Sequence, residues 1–95
     1  MRSEVYNGWT VEFRKNIHMY CHSLKMAKGG RVYDVPCEDL PLSNGRVGIW
    51  PYVLNLEEAV FQDLLIGLRE WANHSGMKYR IYKSENNYET NDNTP

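Results

Sequence analysis

The sequence predicts an α+β fold: a small antiparallel β-sheet of three to five strands packed by one long amphipathic helix, in the order β-β-β-(β)-α-β. Three observations predict it. Strand-like alternation of apolar and polar residues runs through Trp9–Arg14 and again through Met77–Lys83. Apolar residues recur at spacings of three and four over 56–75. Glycine and proline punctuate the stretch between these blocks.

The first strand is "GWTVEFR", with Trp9, Val11 and Phe13 on one face and Thr10, Glu12 and Arg14 on the other. The run "IHMYCHSLKMA" reads as a second strand with Ile17, Met19 and Cys21 inward and His18, Tyr20 and His22 outward. A helix over 17–28, capped by Asn16 and ended by Gly29-Gly30, is the alternative for this run. "GRVYDVP" and "GRVGIWP" share the form G-R-V-x-x-x-P. In both, a glycine ends a turn, Arg-Val opens a strand and a proline stops it. Two copies fall short of the three or so units a repeat architecture needs, so the form is shared punctuation. "CEDLPLSN" between them reads as a polar loop anchored by Leu40 and Leu42.

The helix runs over 56–75. Asn55 stands at its N-cap with Glu58 three residues on, close to a capping box, and Gly76 ends it. Leu56, Val60, Phe61, Leu64, Leu65, Leu68, Trp71 and Ala72 fill one half of it. The helix is expected to cover one sheet face, over Trp9, Val11, Phe13 and Ile81. Gly67 within it implies a close backbone approach. "MKYRIYK" is the returning strand. Residues 85–95 lack a core pattern and are expected to be a disordered tail behind a single α+β domain of residues 1–84.

Composition bounds the function. A chain of 95 residues makes one domain. The formal charge of -1 excludes a strongly basic nucleic-acid binder and a strongly acidic DNA mimic alike. The charge is uneven: residues 1–36 carry six Lys/Arg against three Asp/Glu, and residues 37–76 carry two against six. Two cysteines, Cys21 and Cys37, make no disulfide framework. With no signal peptide and no membrane-spanning run, a reduced, cytoplasmic protein with no membrane partner is expected.

Catalytic signatures are weak. His18 and His22 could share an ion on a helix, but on a strand their rings stand roughly 13 Å apart. The two cysteines form no C-x-x-C pair. Cys21 adjoins His22, but strand neighbours point to opposite faces. Asp34 or Asp39 could orient a histidine only through the tertiary fold. Neither a phosphate-binding loop nor a nucleophile elbow is present. The sequence therefore predicts a protein that is not an enzyme, with no cofactor and no metal.

Binding is the better expectation. Twelve aromatic residues are many for so small a core. Trp50 and Tyr52 flank Pro51 in "GIWPYVLN" and read as interface anchors at least partly exposed in the loop before the helix. Tyr20, Tyr33 and Tyr82 join them as partner-binding candidates on the open sheet face. The alternative is single-stranded nucleic acid, held by Arg14, Lys25, Lys28, Arg31, Lys78, Arg80 and Lys83 with the interleaved tyrosines as stacking platforms. In length, lack of catalytic motifs and aromatic-rich make-up the chain resembles the small accessory proteins with which phages and mobile elements inhibit or adapt host machinery. That resemblance implies a host protein or nucleoprotein complex as the partner.

Overall fold

The computed structural model describes residues 3–42 and 45–92. In chain order it has strands β1 (Ser3–Tyr6), β2 (Trp9–His18), β3 (Cys21–Lys28), β4 (Arg31–Asp34), β5 (Cys37–Leu40) and β6 (Arg46–Ile49). A 3-10 turn (Pro51–Leu54), helix α1 (Glu58–Ser75), β7 (Lys78–Tyr82) and β8 (Tyr88–Asp92) follow. All eight strands join one curled sheet in the order β1-β2-β3-β5-β6-β7-β8, with β4 pairing β3 off that path. The β6–β7 pair is parallel, bridged by α1, and every other pair is antiparallel.

This corrects the expected fold class. The protein is mostly β, a large mixed sheet that curls around one helix, not a three-to-five-stranded α+β sheet under a long one. Three strands account for the difference. β1 is short and polar, so it carries no alternation of its own. β5 is the "CEDL" stretch expected as loop; it buries Cys37 and pairs with β6 from Cys37↔Ile49 to Leu40↔Arg46. β8 lies in residues expected as a tail and pairs with β7 from Tyr82↔Tyr88 to Lys78↔Asp92. Its Glu89 takes a two-pronged hydrogen bond from Arg69 of α1, 2.5 Å at Nε and 3.1 Å at Nη2.

The core lies between α1 and the inner sheet face. Leu64, Leu65, Leu68, Trp71 and Ala72 of the helix are buried, as its periodicity predicts, against Trp9, Val11, Met26, Ile49 and Ile81. Gly67 allows the close approach expected of it: a Cβ there would stand 2.9 Å from Trp9 Cδ1 and 2.9 Å from the Tyr6 carbonyl oxygen. Asn55 does not cap the helix. It ends the 3-10 turn in the left-handed region at φ 54°, and α1 begins after Glu57 without a side-chain cap.

The 17–28 run is strand, broken by a tight turn at Met19-Tyr20, where His18 faces Cys21. The expected facing is overturned at three residues: His22 is buried, with Leu24 and Met26, whereas Ile17 and Met19 are exposed; His18 and Tyr20 are exposed as expected. The register shifts between Arg14 and His18, and Leu24 and Met26 then set the inward phase of β3.

Candidate functional site

The sheet has an outer face that α1 does not cover. Val47 and Ile49 of β6 and Tyr79 and Ile81 of β7 point to the core, so Arg46, Gly48, Lys78, Arg80 and Tyr82 point outward. On that face Trp50 and Tyr82 stack with ring centroids 5.1 Å apart and planes 5° from parallel. Tyr88 of β8 tilts against Tyr82 at 5.4 Å, and the Arg80 guanidinium lies 4.5 Å from the Tyr88 ring centroid.

Gly48 makes the stack possible. A Cβ there would sit 2.5 Å from Trp50 Cη2 and 3.1 Å from Leu40 Cδ1, so the Cη2 edge of the indole lies close against the bare backbone beside Leu40. Leu40 in turn borders a shallow depression of about 240 Å³ with Tyr20, Pro41 and Arg46. Tyr88 of β8, Tyr82 of β7, Trp50 just after β6, Leu40 of β5 and Tyr20 of the β2–β3 turn thus form an aromatic and aliphatic strip. Tyr88 and Tyr20 are exposed, and the three residues between them are half-buried.

Of the five partner-binding candidates, Trp50, Tyr82 and Tyr20 meet on this strip. Tyr33 does not. It lies on the helix side, tilted against Trp9 at 6.1 Å, where it lines a cleft of about 740 Å³ with Lys28, Arg31, Leu56, Val60 and Asp63. Tyr52 is half-buried in the 3-10 turn. Sequence reasoning does not bring Gly48, Leu40 or Tyr88 to this site. Tyr88 sits in a polar stretch without periodicity, and the signal available for Gly48 was a glycine two residues before a tryptophan.

The basic candidates are split between faces. Arg14 and Lys25 border one outer depression. Lys78 and Arg80 lie on the outer face of β7, and Lys83 pairs with Glu89 at 3.7 Å. Arg31 lines the helix-side cleft. Lys28 is committed there to Asp63 at 2.5 Å and to the Asn7 carbonyl oxygen at 3.1 Å. Asp63 also accepts from Trp9 Nε1 and Asn7 Nδ2, both at 3.0 Å. The Lys28 hydrogen bond, helped by Trp9 and Asn7, holds the Asp63 carboxyl below the usual carboxylate range against the opposing pull of desolvation.

Tertiary structure also brings Asp39 to a histidine. His22, buried in the core beside Phe13, lies 2.8 Å from Asp39 through Nε2. The pair ties β3 to β5, which share one ladder pairing, Cys21↔Glu38. Burial, reinforced by Asp39 and Glu38, pushes the Cys37 thiol up to about 12, which removes it as a nucleophile at neutral pH. Among the described residues no three His, Cys, Asp or Glu side chains converge to hold a metal ion.

No family model matches the chain, and no curated protein or solved structure is significantly similar to it. The expected kinship with phage or mobile-element inhibitors is therefore withdrawn: it rested on size and make-up, its α+β premise does not hold, and no relative supports it. No described helix is long and apolar enough to cross a membrane.

Proposed function

We propose that this protein is a non-enzymatic module that binds another protein through the strip of Tyr88, Tyr82, Trp50, Leu40 and Tyr20. The observation that carries the reading is the Trp50–Tyr82 stack on the open sheet face. Two large rings already fixed against each other lose little freedom when a partner covers them. Aromatic anchors flanked by arginine are also the composition of interface hot spots. Nucleic acid fits less well. Bases need ring faces to stack on, and here Trp50 and Tyr82 take one face from each other. The cations that would follow a phosphate backbone lie on opposite sides of the sheet.

The test is capture from a cell lysate with nuclease added, comparing wild type with Tyr88→Ala and Trp50→Ala. A specific protein should be retained by wild type despite nuclease. Each variant should bind it more weakly by about 2 kcal/mol, with Tyr88→Ala melting like wild type. Capture that nuclease abolishes, or that both variants leave intact, sinks the reading.

A further inference from the structure

The outer sheet face has a second region, on β1–β4, that shares no residue with the strip. Strand pairing sets four side chains there in one row: Val5↔Thr10, Thr10↔Ala27 and Ala27↔Val32. Val11 and Met26, the chain neighbours of Thr10 and Ala27, are buried, so the row points away from α1. Val5 is 67% exposed and Val32 63%. One exposed valine needs no explanation. An uncharged row across four strands, with an exposed valine at each end, is a surface shaped for contact.

The next outward row carries charge. Glu12 stands opposite Lys25 in the β2–β3 register, and Lys25 stands opposite Asp34 in the β3–β4 register, with Nζ 3.9 Å from the Asp34 carboxylate. Arg14 and Ser23 are paired in the row beyond. Glu12, Arg14, Ser23 and Lys25 line one outer depression of about 350 Å³, so these rows share one surface. Glu12 and Asp34 balance Arg14 and Lys25, and the region has no net sign. A partner of one charge, such as a phosphate backbone or an anionic bilayer, gains nothing there.

What the region does match is its own rotated image. The four strands are arranged evenly about the line between β2 and β3. A two-fold axis along that line, lying between two facing sheets, sets β2 on β3 of the second copy and β1 on its β4. Each row then meets its own copy. Val5 faces Val32, Thr10 faces Ala27, and Glu12 faces Lys25, each pair made twice. An axis moved onto β2 would set Glu12 on Glu12, and one moved onto β3 would set Lys25 on Lys25. Charge therefore selects the axis between them.

We infer that the outer face of β1–β4 is a self-association surface, on which two copies of this chain pack sheet to sheet about a two-fold axis between β2 and β3. The inference does not depend on the protein-binding strip, and different residues test it. The contact is a few rows deep and the sheet curls away from it, so the dimer is a weak one, with a Kd on the order of tens of micromolar.

The experiment is sedimentation of the whole chain from roughly 10 μM to 1 mM, with melting temperatures taken at the dilute end. Wild type should pass from monomer to dimer over that range. Val32→Lys should weaken association more than about tenfold without lowering the melting temperature, because Val32 is already exposed in the monomer. Tyr88→Ala, on the strip, should leave association unchanged. Glu12→Lys and Lys25→Glu, each alone, should weaken it about tenfold, because like charges then face each other. An equimolar mixture of these two variants should restore association, since in the mixed pair each new charge faces its opposite. Mixing cannot repair a charge clash within one chain, so recovery separates the interface from any effect on folding.

A chain that stays monomeric to roughly 1 mM would overturn the inference. So would a dimer that survives Val32→Lys, a dimer that Tyr88→Ala dissolves, or charge-swapped variants that fail to recover on mixing.

Discussion

Three hairpins in this sheet close through two-residue turns, and two of them differ sharply from the third. Asn7-Gly8 joins β1 to β2 with φ of 51° and 79°, and Gly29-Gly30 joins β3 to β4 with φ of 59° and 80°. Both turns use the residues that tolerate positive φ at little cost. Met19-Tyr20 joins β2 to β3 with a positive φ on a methionine. The Asn7-Gly8 turn is also tied down. Asn7 donates to Asp63 of α1 and accepts from Lys28, so the turn, the helix and the end of β3 form one clamp. The Met19-Tyr20 turn instead presents apolar side chains to solvent. Where a turn serves only the scaffold, its residues suit its backbone. Where the residues oppose the backbone, something other than folding explains them.

The largest expected effect lies at the clamped end. Gly67 seats α1 against Tyr6 and Trp9, so Gly67→Leu should destabilise the protein by about 3 kcal/mol, read by denaturant unfolding. A loss under about 1 kcal/mol would mean that the helix seat yields and the clamp is not rigid.

The clamp should also be sensitive to acid. Asp63 titrates below its unfolded value because the folded state hydrogen-bonds its ionised form, to Lys28 first. Its stabilisation is therefore complete above the unfolded carboxylate range and is lost as pH falls through the lowered folded value. Asp63→Asn should lower the melting temperature at neutral pH and flatten its fall in acid. An unchanged acid limb would show that Asp63 carries none of it.

The smallest effects oppose each other in sign and test the comparison most directly. Gly8→Ala puts a Cβ on a residue at φ 79° and 3.1 Å from Lys28 Cε, so it should cost about 1 kcal/mol. Met19→Gly removes a Cβ from a residue at φ 51° and should gain up to about 1 kcal/mol, less the entropy of a freer unfolded chain. If Met19→Gly destabilises the protein, the methionine belongs to the fold and the contrast between the turns disappears.

The sequence by itself determined the parts governed by neighbours along the chain. The period of three and four from Val60 to Ala72 placed the helix and its buried face. The alternation in Trp9–Arg14 and Lys78–Tyr82 placed two strands with the correct sides inward. Gly29-Gly30 and the two G-R-V stretches placed turns and strand starts. Tertiary structure decided the rest, because strand pairing and facing depend on partners far along the chain. "YETND" has poor intrinsic strand propensity, yet the free edge of β7 and the Arg69–Glu89 pair make it β8. "CEDL" becomes β5 because its Cys37 fits the core and β6 pairs with it. The inward phase of 21–28 follows Leu24 and Met26 after a turn and a register shift that alternation alone could not locate. The candidate site has the same origin. Trp50 and Tyr82 stand out as single aromatics in the sequence, but Tyr88 and Leu40 join them only once the strands lie side by side, and the bare backbone of Gly48 lets the indole edge approach it closely.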